Sequence, residues 1–145
     1  MTKKAEAFQK YLADNNIDAF AVEDVKHSEN NITVFRSHIT VEGQNFPLVV
    51  IFDSSIFTVI RVQILTRAMN DANRLPLLAW VNDETAKYKL FRFYFNNDGS
   101  LMLELCHTAD DPEADISGDT LYLFFDMIIN YLDESYRRIM KVVFR

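Results

Sequence analysis

The chain has 145 residues, 49% of them hydrophobic and 25% charged, which is enough for one domain with its own core and excludes wholesale disorder. Its formal net charge of −6, with a pI near 5.0, argues against nucleic-acid binding, because sequence-independent affinity for nucleic acids comes from lysine and arginine on a basic surface. We therefore predict one domain over residues 1–145 and no nucleic-acid partner.

The first predicted element is a short amphipathic helix over residues 3–14. Phe8 and Leu12 lie at helical spacing among charged residues, and Asn15-Asn16, which tolerate a left-handed helix end, follow them. This segment lacks the apolar core of a signal peptide, and no later stretch has the roughly 18 uncharged apolar residues of a membrane span. We expect a cytoplasmic protein without a membrane partner.

Between Ile17 and Leu65 the apolar residues change to a period of two, which predicts β-strands rather than helix. Four segments are rich in β-branched and aromatic residues and are separated by polar turn sequences. They are DAFAVEDV (18–25), ITVFRSHITV (32–41), FPLVVIF (46–52) and FTVIRVQIL (57–65). The short connections between them predict an antiparallel meander of four strands.

A second helix is predicted from about Asn73 to Lys87, with Asn73 as its N-cap. Pro76 then lies in the first turn, where its missing N–H costs little; the alternative is a helix broken at Pro76. A hairpin and one long helix complete the chain. The predicted fold is α+β, an antiparallel sheet with flanking helices in the order α-β-β-β-β-α-β-β-α.

All three glycines lie at boundaries between these predicted elements. Loops that bind phosphate groups use glycine to let the backbone approach the ligand, and no stretch of this chain has that pattern. We therefore predict no cofactor.

The predicted hairpin has the sequence KLFRFYFNNDGSLMLELC, residues 89–106. Asn97-Asp98-Gly99 can form a three-residue loop with Gly99 in the left-handed conformation. In that register three apolar pairs share one face: Phe95 with Leu101, Phe93 with Leu103 and Phe91 with Leu105. We predict that this face belongs to the core.

The second face of the hairpin is half apolar. The same register forms three pairs there: Arg92 with Glu104, Tyr94 with Met102, and Leu90 with Cys106. Leu90, Tyr94 and Met102 therefore surround one ion pair. Two interpretations stay open: a neighbouring helix covers this face, or a partner molecule contacts it.

The last helix is predicted from Asp119 to about Phe144, with most of its apolar residues on the half of its circumference that faces the sheet. Leu123 and Met127 break this pattern, because they project from the polar side one turn apart. Isolated exposed apolar residues are ordinary, but an i, i+4 pair can also seat a partner or a second subunit.

Cys106-His107, next to Asp110, is the one local cluster that resembles a metal or nucleophile site. A structural zinc site needs about four ligands, and a nucleophilic cysteine needs an oriented base; the local sequence assembles neither. His27 or His38 could complete a site only through the fold. We predict no catalytic residue and no metal, with a small metal- or ligand-dependent enzyme that uses Cys106 and His107 as the alternative function.

Two stretches carry a family resemblance. LPLLAWVNDETAKYKLFRFYFNNDGSLMLELC (75–106) and LFFDMIINYLDESYRRIMKVVF (123–144) resemble the YbjN-domain family, bacterial proteins grouped with the type III secretion chaperone-like fold. The chain departs from the family pattern at Thr85, where a second asparagine is frequent, and at Arg137, where proline is usual. The resemblance implies a dimeric α+β domain that acts as a regulator or chaperone-like binding protein, without catalytic residues.

Together, the residues and the resemblance lead us to expect a non-enzymatic cytoplasmic module that binds a protein partner or client and forms a homodimer. A purely structural dimer or a regulatory subunit with one fixed partner is a further alternative. The candidate partner-binding residues lie on the hairpin and on the last helix: Leu90, Tyr94, Met102, Leu123 and Met127.

Overall fold

A computed structural model describes residues 1–144 and has the predicted α+β fold, an antiparallel six-stranded sheet with three helices in the predicted order. The helices are α1 (Lys3–Asp14), α2 (Arg74–Lys87) and α3 (Gly118–Val143). The strands are β1 (Ala21–Asp24), β2 (Thr33–Val41), β3 (Gln44–Phe52), β4 (Phe57–Leu65), β5 (Arg92–Phe95) and β6 (Leu101–Thr108). No helix within residues 1–144 combines the length and the apolar character needed to cross a membrane.

The strand order in the sheet is β1-β2-β3-β4-β6-β5. The first four strands form the predicted antiparallel meander, although β1 is shorter than the segment predicted for it. Strand β6 pairs with both β4 and β5, so the hairpin enters the sheet through β6 and leaves the short strands β1 and β5 at the edges.

The hairpin has the predicted three-residue loop, with Gly99 at a φ of 80°. Four of the predicted pairs form: Arg92 with Glu104, Phe93 with Leu103, Tyr94 with Met102 and Phe95 with Leu101. The two outer pairs, Phe91 with Leu105 and Leu90 with Cys106, were wrong, because strand β5 begins only at Arg92. At its outer edge the Phe93 N–H donates to Thr85 Oγ1 over 3.1 Å, so α2 covers part of this strand.

Helix α1 has the predicted bounds and is capped by Thr2, whose Oγ1 accepts a hydrogen bond from the Ala5 N–H at 3.2 Å. Lys4 is buried, and its Nζ donates to the carbonyl oxygens of Ser55 at 2.8 Å and Phe57 at 3.2 Å. These bonds satisfy the buried ammonium group and attach α1 to the turn between β3 and β4.

Helix α2 runs unbroken through Pro76, which lies in its first turn as predicted. The predicted N-cap position was correct, but the predicted capping hydrogen bond was wrong. Asn73 is at the N-cap position, but its side chain makes no capping bond. Instead Oδ1 accepts from the Asn70 N–H and Nδ2 donates to the Ala68 carbonyl oxygen, because the turn before the helix offers both partners.

All three helices pack on the same face of the sheet. The ring of Phe8 in α1 contacts that of Phe35 with centroids 4.9 Å apart. The corresponding distances are 6.0 Å from Trp80 in α2 to Phe93 and 5.4 Å from Tyr136 in α3 to Phe46. Phe35, Phe46 and Phe93 point to one side of the sheet, and this side holds the core cluster. No helix within residues 1–144 packs on the opposite side.

Candidate partner-binding surface

We use the term bare face for the side of the sheet opposite the helices. It is formed by alternate residues of the strands, since successive side chains in a strand point to opposite faces. Its central residues are Val34, Arg36, His38, Val49, Ile51, Val59, Arg61, Arg92, Tyr94, Met102, Glu104 and Cys106. None of these belongs to the core cluster that the helices cover.

An apolar row crosses the bare face. Val34 on β2 lies directly opposite Ile51 on β3, and Ile51 lies opposite Val59 on β4. Val59 in turn lies opposite Cys106 on β6, whose side chain is exposed. Three β-branched residues and a thiol are thus lined up across four adjacent strands, and no helix in the described part of the chain lies above them.

An ion network lies beside the apolar row and joins the hairpin to strand β4. The Glu104 carboxylate is 7% exposed and accepts hydrogen bonds from Arg61 Nε at 2.8 Å, from the Tyr94 hydroxyl at 2.8 Å and from the Arg92 guanidinium. The Arg92 guanidinium also lies over the Tyr94 ring, 5.2 Å from its centroid. Arg61 was absent from the sequence prediction, because it reaches Glu104 through the pairing of β4 with β6, which no local pattern reveals.

These contacts set the ionisation of Glu104. Burial alone works to raise the pKa of its carboxyl, but the hydrogen bonds from Arg61 and Tyr94 and the two guanidinium charges outweigh burial and lower the pKa. The pKa of the Tyr94 hydroxyl is raised, first by burial and then by its bond to the carboxylate. The network therefore holds a carboxylate, two guanidiniums and a neutral tyrosine near neutral pH.

The three candidate residues predicted on the hairpin do not share one surface in the structure. Tyr94 and Met102 lie on the bare face, directly opposite each other, with Tyr94 half-buried and Met102 buried. Leu90 precedes β5 and packs against the helix-side core, so it does not share their surface. Of the two interpretations left open, cover by a helix does not apply to Tyr94 and Met102 within residues 1–144.

The two residues predicted on the last helix are exposed. Leu123 is 57% exposed and Met127 is 41% exposed, one turn apart on α3. Because α3 lies on the helix-covered side of the sheet, this pair belongs to a separate surface from Tyr94 and Met102.

The Cys106-His107 pair is divided by the strand that carries it. The two side chains point to opposite faces of β6, and the His107 ring lies 6.1 Å from that of Phe124 on α3. Partial burial and the Glu104 carboxylate raise the pKa of the Cys106 thiol, which disfavours the nucleophilic thiolate. Within residues 1–144, no group of three or more His, Cys, Asp or Glu side chains is placed to hold a metal ion.

Sequence reasoning missed a third apolar surface, on α2. Leu75 is 79% exposed and Leu78 is 44% exposed. Beside them a cleft of about 500 Å³ between α2 and the end of α3 is lined in part by Leu77, Trp80 and Val142. The run LPLLAW lacks a separation into apolar and polar sides, and this lack of amphipathic pattern was the available signal.

No family model matches this chain, and no curated protein matches its sequence.

Proposed function

We propose that this protein is a non-enzymatic binding module of the cytosol, which holds a protein partner or client through the bare face of its sheet. The observation that carries the proposal is the apolar row, in which Ile51 and Val59 are half-buried and Val34 is buried, and which no helix of residues 1–144 covers. The role is chaperone-like or regulatory, as the resemblance to the YbjN-domain family implies.

The composition of the bare face supports this role. An antiparallel sheet with one solvated face ordinarily alternates apolar residues inward with polar residues outward. Here the outward positions of the two central strands β3 and β4 include Val49, Ile51, Val59 and Phe57, and Phe57 is 46% exposed. Contiguous apolar surface with a polar surround is characteristic of interaction sites.

A homodimer is the second part of the proposal. Leu123 and Met127 on α3 offer an apolar contact for a second copy, on a surface separate from the bare face. A dimer formed there leaves both bare faces free to bind partners.

The alternative function, an enzyme that uses Cys106 and His107, has less support, because the strand directs these side chains to opposite faces. Metal analysis of the purified protein separates the two functions. We expect no stoichiometric metal; zinc or iron that is present in the native protein and lost in Cys106→Ala would favour the enzyme.

The test of the binding function uses a change that keeps the sheet paired. Ile51 and Val59 lie directly opposite each other, so Ile51→Glu with Val59→Lys replaces the centre of the apolar row by a favourable cross-strand pair at unchanged net charge. Proteins captured from the host cytosol by the native chain and by this variant are identified and quantified, after both chains are checked for equal melting temperature.

The matched control is Leu75→Glu with Leu78→Lys on α2, an equal exchange at exposed apolar residues away from the bare face. We expect specific partners with the native chain and the control, and their loss with the bare-face variant. Equal capture by all three chains would contradict a role for the bare face, and one partner at fixed stoichiometry would favour a dedicated regulatory subunit over a general holder of clients.

A further inference from the structure

The bare face carries a second row of residues beside its apolar row, which we call the arginine row. Arg36 on β2 lies opposite Val49 on β3, and Val49 lies opposite Arg61 on β4. Arg61 lies opposite Glu104 on β6, and Glu104 lies opposite Arg92 on β5. Five adjacent strands therefore contribute to one straight line of residues in which three of the five are arginines.

The charge of this face differs in sign from that of the whole chain. The bare-face residues within the strands include three arginines, against the carboxylates of Glu23 and Glu104 only. Glu104 is shared by Arg61 and Arg92, which leaves one guanidinium charge in excess. Arg36 shares an exposed contact of 3.3 Å with Glu23, and exposed pairs of that kind are weak and exchange readily. A face with excess positive charge on a chain of net charge −6 favours an acidic partner.

The spacing of the row further restricts the partner. The arginines lie on alternate strands, and neighbouring strands are about 4.8 Å apart, so consecutive arginines are separated by roughly 9.6 Å. In an α-helix every seventh residue returns to nearly the same side after about 10.5 Å. The long arginine side chains can absorb the difference of about 1 Å at each step.

The apolar row runs parallel to the arginine row, two residues further along each strand, or roughly 6.7 Å away. A helix laid along the arginine row would therefore place a neighbouring apolar stripe, offset by three or four residues from its acids, over Val34, Ile51 and Val59. We propose that the bare face binds an acidic amphipathic helix whose carboxylates recur at about every seventh residue. This inference rests on the proposed function and names the chemistry of its partner.

A second copy of this chain fits the bare face less well. Two bare faces stacked on each other would double the excess positive charge and enclose it away from water, where unpaired charge is costly. Helix α3 of a second copy lies on the other side of that molecule from its own bare face, so such a contact could not close into a two-fold dimer and would continue as an open chain.

The probe is a synthetic helical peptide of about three heptads, with glutamate at every seventh position and leucine four residues after each glutamate. The control peptide has the same composition, but its glutamates lie on the side opposite the leucines. Binding is followed by fluorescence anisotropy at low and at high salt. We expect the probe to bind at low salt, more weakly at high salt, and at least about tenfold more tightly than the control peptide.

The protein variant is Arg36→Gln with Arg92→Gln, which keeps Arg61 paired to Glu104 and therefore protects the fold. The matched control, with the same change of net charge, is Arg74→Gln with Arg137→Gln, two exposed arginines outside the bare face. We expect about tenfold weaker peptide binding in the first variant and a change of less than about twofold in the second.

Equal affinity for both peptides, or equal binding by both variants, would overturn the inference. Binding of a single-stranded oligonucleotide as tightly as the probe would also overturn it, because the arginine row would then be a surface for phosphate groups in general. If Ile51→Glu with Val59→Lys loses native partners while the probe peptide does not bind, the proposed function holds and the acidic helix is wrong. If that variant keeps its partners and the probe does not bind, both fail.

Discussion

The Glu84 carboxylate on α2 accepts hydrogen bonds from both terminal nitrogens of Arg138 on α3, at 2.6 and 3.3 Å. Glu84 is 1% exposed and Arg138 is 41% exposed, so a buried anion is neutralised by a cation that reaches it from the protein surface. The pair is the main polar link between two helices that are 54 residues apart at these positions. Hydrogen bonding to Glu84 raises the pKa of Arg138, which is charged at every accessible pH.

Removal of Arg138 should therefore destabilise the protein strongly. Arg138→Ala leaves the Glu84 carboxylate buried without its partner, and we expect a loss of about 2 to 4 kcal/mol in the free energy of unfolding, somewhat less than for a fully buried pair. The control is the neighbouring Arg137→Ala, whose side chain is 83% exposed and whose cost should be below about 0.5 kcal/mol. Urea titration measures both; equal losses would mean that Glu84 is not held by Arg138.

Two glycines with similar backbone angles should differ in their tolerance of alanine. Gly99 and Gly43 have φ values of 80° and 76°, so alanine is strained at both, by about 1 to 2 kcal/mol. A Cβ at Gly99 would also lie 2.6 Å from the Met69 carbonyl oxygen, whereas a Cβ at Gly43 meets open space. We expect Gly99→Ala to cost about 1 to 3 kcal/mol more than Gly43→Ala in the free energy of unfolding. Equal costs would contradict the close approach of the loop to Met69.

The hydrogen bonds of Glu104 predict that the free energy of unfolding falls at low pH. Because the pKa of Glu104 is lower in the folded protein than in the unfolded chain, its contribution to stability is complete above the ordinary value of 4.5 and disappears as pH falls through the folded value. Glu104→Gln should cost about 1 to 3 kcal/mol at neutral pH. The difference in unfolding free energy between the native chain and the variant should shrink as the pH is lowered below about 4.5. A difference that stays constant down to pH of about 3 would show that the carboxylate is not stabilised by its two arginines.

The proposed dimer contact on α3 predicts a clean change in mass. Leu123→Asp with Met127→Lys replaces an exposed apolar pair by an i, i+4 ion pair, which keeps a solvent-exposed helix surface stable. We expect unchanged circular dichroism and melting but a shift from dimer to monomer in multi-angle light scattering. Leu75→Glu with Leu78→Lys on α2 serves as the control and should leave the mass unchanged. If the Leu123 and Met127 variant has the same mass as the native chain, α3 does not form the dimer contact.

Local sequence patterns predicted the parts of the fold that local geometry determines. The bounds of α1, the unbroken α2 and the register about Gly99 follow from spacing and turn chemistry within about a dozen residues. The prediction of a capping hydrogen bond from Asn73 was wrong, because its side chain bonds instead to backbone groups of the preceding turn. The prediction for Leu90 was wrong because β5 begins two residues later than the alternating pattern suggested.

The candidate binding surface could be recognised only once the order of the strands in the sheet was known. A period of two shows that a strand has two faces but does not show which face the helices cover, so the apolar row of Val34, Ile51 and Val59 could not be recognised from sequence. The arginine row depends on β6 lying between β4 and β5, a long-range arrangement. Tyr94 and Met102 were correctly grouped because their pairing lies within one hairpin.

The most direct test of the central claim, that the bare face binds a protein partner, is site-specific photo-cross-linking in the host cell. A photoreactive amino acid is placed at Val49, between Arg36 and Arg61 on the bare face, and in a second protein at Leu75 on α2. The proposed function predicts a defined cross-linked protein from position 49 that is missing from position 75. No cross-link from position 49, with defined products from position 75, would contradict it and move the binding surface to α2.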